Sequence, residues 1–373
     1  SAGDVNNDGI DDLLIGADKS DPVSSNEGEA YLVFGGSANL AALDAADGTT
    51  NGQIEVTNLN GSRGYRIAGS DGDGRLGYSV SGAGDINGDG IADIVLGAHF
   101  ADPSTLTDVG EAYFVFGGTS NLSSLDAADG STNGTISVSN LNGTTGFKVT
   151  GLFASDFLGG SVSHAGDVNG DGIDDVIIGT YKLEGSVRDG ATADQYVLFG
   201  SSTIGSSGSI DLSTLDGSSG IVISGVNGQN YYGGIVSAAG DVNGDGFDDL
   251  MVGEHQADDS AANAGTSYVI FGGDFSGVVT DIGGTGDDSL IGTSANDYQV
   301  GDTGNDTMTG GGGVDVQLGG AGNDILGISD TNFRRVDGGS NASSGADTLR
   351  LDGNGMALNL TTIADTKILG IEK

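Results

Sequence analysis

Apolar residues in this chain come in short bursts separated by glycine and acidic residues, without the spacing of a sustained amphipathic helix. Four aliphatic bursts, Leu13–Ile15, Ile94–Leu96, Val176–Ile178 and Leu250–Val252, read as buried strands. Further strands are expected at Leu76–Ser81, with counterparts at Leu158–Ser163 and Tyr232–Ser237. Others are expected at Gly110–Gly118, with counterparts at Gly28–Gly36, Tyr196–Gly200 and Gly265–Gly273, and at Thr135–Val138 and Gly146–Gly151. Helix is limited to a short turn at Ala41–Ala46 and at Ser123–Ala128. The unit therefore repeats about four times, each copy with one small sheet, and such sheets pack radially in a β-propeller.

Near residue 280 the pattern changes to a nine-residue period, with units starting at Gly283, Gly292, Gly301, Gly310 and Gly319. The sixth position is always acidic: Asp288, Asp297, Asp306, Asp315 and Asp324. Each unit predicts a Gly-rich turn and a short strand, and the period resembles the RTX nonapeptide, which implies that each unit is half a coil of a parallel β-roll. Residues two units apart then stack on one side. The eighth position is apolar in alternate units (Leu290, Met308, Leu326) but Gln299 and Gln317 in the others, where Tyr298, Val300, Val316 and Leu318 flank it. Which face that second sheet turns inward is open from sequence. Residues 328–373 look like an interrupted coil around Val336–Leu351, with capping strands at Ala357–Thr361 and Lys367–Ile371. The expected division is a propeller segment at 1–278, with repeats at about 1–73, 74–155, 156–229 and 230–278, then the roll at 279–327 and a cap at 328–373.

Just before each aliphatic burst stands the same nine-residue loop, Asp-x-Asn-x-Asp-Gly-x-x-Asp. Its oxygen-bearing positions are Asp4, Asn6, Asp8 and Asp12; Asp85, Asn87, Asp89 and Asp93; Asp167, Asn169, Asp171 and Asp175; and Asp241, Asn243, Asp245 and Asp249. Six to eight oxygens suit Ca²⁺, and the main-chain carbonyl of position 7 (Ile10, Ile91, Ile173, Phe247) would add one. Where an EF-hand carries a bidentate Glu at position 12, this chain has Ile15, Leu96, Ile178 and Val252. The ninth-position Asp is thus expected to be the bidentate ligand, in a loop joining two strands. The five roll Asp residues are expected to share further ions, for four propeller-type sites and at least two in the roll.

Composition agrees. Among 373 residues 53 are acidic and 12 basic, a net charge of −41, which argues against nucleic acid or an anionic membrane as partner. With no Cys there are no disulfide staples, and no apolar stretch is long enough to span a bilayer, so membrane insertion is not expected. Of the three histidines, His99, His164 and His255, surface loop positions are expected rather than a zinc site or triad. Tyr231 and Tyr232 could stack on a sugar but read more simply as strand-end core residues. No catalytic residue and no organic cofactor is singled out.

Leu76–Ala98 together with Phe116 and Gly117 resemble the FG-GAP repeat of integrin α-subunit propellers, over roughly residues 1–275. That resemblance implies a seven-bladed propeller with calcium in loops on one face. This chain carries four repeats, the first without its Leu-Gly-x-Ser-Val strand, so further repeats upstream of Ser1 or a neighbouring chain are expected to complete it. The nonapeptides resemble the RTX, hemolysin-type calcium-binding repeat, which implies one-step (type I) export and folding in extracellular calcium. The expectation is an all-β, secreted or surface-exposed, calcium-binding structural or adhesive module of a larger bacterial protein. Its partners would be an extracellular protein, a glycan or copies of itself. The alternatives are an accessory region of a secreted hydrolase and a carbohydrate-binding module.

Overall fold

The computed structural model describes residues 1–20, 26–103, 105–180, 193–224, 234–254, 264–340, 345–360 and 363–371. The chain is nearly all β and divides into two compact units that are not consecutive in sequence. The first comprises Ser1–His164, Val176–Ser237 and Val252–Tyr268; the second comprises Ala165–Asp175, Ala238–Met251 and Val269–Lys373. The third and fourth Asp-rich loops therefore belong with the C-terminal coils.

In the first unit the second repeat shows the complete sheet. Ser79–Gly84, Asp93–Ala98, Glu111–Val115 and Gly146–Thr150 pair antiparallel in that order. Asp93–Ala98 is buried at all six positions because neighbouring sheets cover both faces. Ile94 and Leu96 pack with Leu32 and Ile67 of the first repeat, whereas Val95 packs with Val176 and Ile178 of the third. Period-two alternation of an unbroken apolar strand thus produces the radial, propeller-like packing expected of the repeats.

The sheets are not confined to their own repeats. Thr135–Ser137 of the second repeat pairs parallel with Gly64–Ala68 of the first, and Ser209–Ile210 of the third pairs parallel with Gly146–Thr150 of the second. The sequence placed Thr135–Val138 in its own repeat's sheet; local pattern cannot reveal which edge a short strand joins. Helix was also underestimated. Ser37–Asp44 and Thr119–Asp126 are two-turn helices, held by tertiary contacts rather than by amphipathic periodicity. Leu122 and Leu125 are buried, Asn121 donates to the carbonyls of Phe116 and Thr145, and Asp126 accepts from the N–H groups of Gly134 and Thr135.

The second unit contains a parallel β-solenoid of two sheets. One is built from Asp281–Ile282, Tyr298–Val300, Val316–Leu318, Arg335–Asp337 and Ile368–Leu369; the other from Ser289–Ile291, Thr307–Thr309, Ile325–Ile328 and Thr348–Leu351. Arg335–Asp337 and Thr348–Leu351 supply the two strands of a further coil, and Ile368–Leu369 adds a last rung. Residues 357–360 form no strand, contrary to expectation; Leu358 instead packs against the core.

The unequal eighth positions now have an explanation. Leu290, Met308 and Leu326 fill the interior together with Val336. Val336 lies in register with Gln317 and Gln317 with Gln299, so both glutamines point inward, fully buried, with Gln317 Nε2 donating to Gln299 Oε1 at 3.0 Å. The flanking Val300, Val316 and Leu318 face outward and pack against Phe247 of the fourth Asp-rich loop. This sheet is apolar on its outer face because loops cover it.

The glutamine pair yields a prediction. Gln299 Nε2 and Gln317 Oε1 are buried without partners, and an unmade buried hydrogen bond costs about 1–3 kcal/mol. Gln317→Leu alone should destabilise the solenoid, since it strands Gln299. The double change Gln299→Leu with Gln317→Leu should recover or exceed wild-type stability in chemical denaturation. Additive losses in the double variant would contradict the inward ladder.

Candidate metal centres

Each Asp-rich loop is a scaffold of carboxylates accepting from backbone N–H groups. The first-position Asp accepts from positions 5 and 6: Asp4 from Asp8 (2.9 Å) and Gly9 (2.7 Å), Asp85 from Asp89 (2.9 Å) and Gly90 (2.7 Å). Asp167 and Asp241 do the same in their loops and also accept from the position-4 glycines Gly170 and Gly244. The fifth-position Asp accepts from position 7, at Ile10, Ile91, Ile173 and Phe247. The third-position Asn oxygen accepts from the position-5 N–H in the loops of Asn87, Asn169 and Asn243. Gly9, Gly90, Gly172 and Gly246 have φ between 77° and 87°, the left-handed conformation that glycine adopts without strain.

The ninth-position Asp is the most buried member, with Asp93, Asp175 and Asp249 at 0% exposure and Asp12 at 3%. One oxygen accepts from the second-position N–H: Val5 at 3.0 Å, Val168 at 2.9 Å and Val242 at 2.9 Å. The other accepts from the first glycine of the Phe-Gly-Gly segment: Gly35 at 2.8 Å, Gly117 at 2.8 Å and Gly272 at 2.9 Å. This carboxylate therefore ties its loop to a neighbouring strand of the same sheet. A further contact ties repeat to repeat. The second-position carbonyls of Val5, Ile86 and Val168 accept from Gly118, Ser201 and Gly273 of the following repeat, at 2.8, 3.0 and 2.9 Å.

Burial makes these acids reluctant to ionise. Desolvation pushes Asp12 up to about 6 against the pull of the Gly35 and Val5 N–H groups, and pushes Asp93 well above the usual carboxylate range. Asp241 is raised for the same reason. A bound cation would reverse that penalty. The donor set suits a hard one, since every polar side chain offers oxygen and Asn6 Oδ1 is buried with no hydrogen-bond partner. Among the described residues, no three acidic or histidine side chains already converge as a closed cage.

The solenoid brings its sixth-position acids into stacks as the spacing implied. Asp306 Oδ1 accepts from Asp288 N (2.7 Å), Asp324 Oδ1 from Asp306 N (2.7 Å), and Asp315 Oδ1 from Asp297 N (3.1 Å). Asp347 extends the first stack, with Oδ1 accepting from Asp324 N; the longer insertion before it kept it out of the nine-residue count. Asp306 Oδ2 and Asp324 Oδ2 are buried and unpartnered, and desolvation pushes Asp324 up to about 7.

His99 does not lie at the surface as expected. His99 is buried, its ring 3.8 Å from Tyr78 and 4.3 Å from Phe100. Burial and Arg75 lower its pKa to about 4, so it is neutral at physiological pH. Its repeat counterpart His255, and Tyr231 and Tyr232, lie outside the described residues. Among those described, no helix is long and apolar enough to cross a membrane.

This geometry has a likeness among known proteins. The family described as FG-GAP repeat matches residues 1–33, 76–115 and 232–270, each containing an Asp-rich loop and the two strands that follow it. More particularly, the chain is 33% identical over 201 residues to Integrin alpha pat-2 of Caenorhabditis elegans, covering 53% of this chain and 14% of that protein. It is 29% identical over 182 residues to Phosphatidylinositol-glycan-specific phospholipase D of Bos taurus, covering 48% of this chain and 18% of that protein. The chain thus spans a small part of either relative and carries integrin-like FG-GAP repeats.

A pH dependence follows. In cation-free buffer Asp12 and Asp324, ordinarily near 3.8, keep their protons in the folded chain up to about 6 and about 7. The folded state binds more protons than the unfolded state across that window, so stability should fall as pH rises from about 4 to about 7. Saturating divalent cation should remove the slope. Thermal melts at pH 5 and 7.5 check this; a cation-free protein that gains stability toward pH 7.5 contradicts it.

Proposed function

We propose that this chain is a calcium-loaded, extracellular structural or adhesive module of a larger protein. The observation that carries the reading is the loop itself: buried acids held by backbone N–H groups, repeated with the same partners, in a chain of net charge −41. Calcium would neutralise those acids, and the residues holding it would be the oxygens of positions 1, 3, 5 and 9 with the carbonyl of position 7. In the solenoid the Asp288, Asp306 and Asp324 stack and the Asp297 and Asp315 stack would hold further ions, in keeping with the RTX resemblance and with export ahead of folding. The protein's own part is positional. The loops fix repeat to repeat through the carbonyls of Val5, Ile86 and Val168, so ion binding would set the rigidity of the whole array.

Likeness to an integrin α chain supports adhesion as the role, with an extracellular protein, a glycan or a second copy as partner. The second reading, an accessory region of a secreted hydrolase, draws on the likeness to the phospholipase D.

Calcium titration calorimetry and melting with and without chelator test the first reading. Each ion bound only by the folded state adds roughly 2.7 kcal/mol at a hundredfold excess over its Kd, so chelation should lower the Tm strongly and raise protease sensitivity. An unchanged melt in excess chelator would sink the calcium assignment. For adhesion, immobilised protein should retain matrix proteins, arrayed glycans or itself in calcium and release them in chelator. Retention of none of these would remove the adhesive role and leave the hydrolase-accessory reading.

A further inference from the structure

Only 12 of the 373 residues are basic, yet two adjacent ones, Arg334 and Arg335, meet at a single Asp-rich loop. Arg335 leads the solenoid strand Arg335–Asp337 and its side chain is 5% exposed. Its guanidinium lies 3.5 Å from Asp167 Oδ2, the first position of the third loop, and 2.5 Å from Asp174 Oδ1, the eighth. Arg334 donates to the carbonyl of Asp171 at 3.3 Å. Its stem and the Val316 side chain lie so close to Gly172 that a Cβ there would come within 3.1 Å of Arg334 Cδ and 2.5 Å of Val316 Cγ2. The loop is thus seated on the solenoid through two arginines. In the first and fourth loops, by contrast, no ion pair to Asp4 or Asp241 occurs among the described residues.

We infer that Arg335 serves the third loop as a built-in cation, so that this loop, unlike the first, keeps its shape without bound metal. The inference rests on the calcium reading above and refines it. A buried guanidinium beside Asp167 supplies positive charge where an ion would otherwise be needed, and it repels a divalent ion entering the same loop. At this separation such repulsion weakens binding on the order of 100-fold or more. The arrangement separates two tasks. Loops that need the ion stiffen only in its presence, while the third loop stays seated on the solenoid at any calcium concentration. The guanidinium suits the task because it stays charged at any physiological pH and its planar fork reaches two carboxylates at once.

The test compares equivalent variants by calcium stoichiometry, from native mass spectrometry of the full chain after titration. Asp8→Ala in the first loop should lower the number of tightly bound ions by one, whereas Asp171→Ala in the third should leave it unchanged. Arg335→Gln should raise it by one, and its solenoid should become more sensitive to protease in chelator than wild type. If Asp171→Ala loses an ion as Asp8→Ala does, the built-in cation is wrong and the calcium reading stands. If neither variant loses one, the loops are not calcium sites and both readings fall. The two aspartate variants decide the matter even if Arg335→Gln does not fold.

Discussion

The structure depends on a buried carboxylate that accepts backbone hydrogen bonds on both of its oxygens. Asp12 and Asp249 each bind a second-position N–H with one oxygen and a glycine N–H of the Phe-Gly-Gly segment with the other. An acid in so dry a place is costly unless its charge is met, and two or three N–H groups meet it only in part. Everything near it is shaped accordingly. The glycine must be glycine, since a Cβ on Gly117 would stand 2.3 Å from the Ala92 carbonyl. The chain beyond it turns back to accept its place beside the preceding repeat. Local loop geometry and inter-repeat packing are thus one construction, so a cation bound as proposed would act on the contact between neighbouring repeats.

A second constraint acts in the C-terminal unit, where one solenoid sheet has both faces covered. Inside, Gln299 and Gln317 pair in a column that ends on Val336; outside, Val300, Val316 and Leu318 meet Phe247. The outer contact uses a loop residue, Phe247, at the position that is Ile in the other three copies. A larger side chain there supplies the apolar surface that the solenoid needs. The same unit gathers the third loop around Arg335, which pairs with its first-position Asp167. The terminal repeats are less covered. Leu13 and Ile15 of the first and Met251 and Val269 of the fourth are exposed apolar strand residues, whereas their counterparts in the second repeat are buried on both faces.

Much of this was legible from residues alone. Repetition made the Asp-rich loop, its strands and the nine-residue coils visible, because a turn that needs Gly at one place and oxygen at four others leaves the same mark each time. Stacking of Asp288, Asp306 and Asp324 followed from the nine-residue period read together with its resemblance to β-roll repeats. His99 was misjudged as a surface residue because nothing local announces that Tyr78 and Phe100 close over it. The two-turn helices at Ser37–Asp44 and Thr119–Asp126 were underestimated for a related reason: their stability comes from Asn121 and Asp126 bonding to distant backbone, which no helical periodicity records.

By itself, then, the sequence determined the all-β class, the four repeats, the oxygen-rich loops and the coil period, since each is marked by residue types recurring at a fixed spacing. Tertiary structure decided which edge Thr135–Ser137 joins, which face Gln317 turns, and which loop receives Arg335. These depend on segments far apart along the chain, 161 residues in the case of Arg335 and Asp174. Spacing along a chain fixes what a turn can hold. It does not fix what will be folded against that turn.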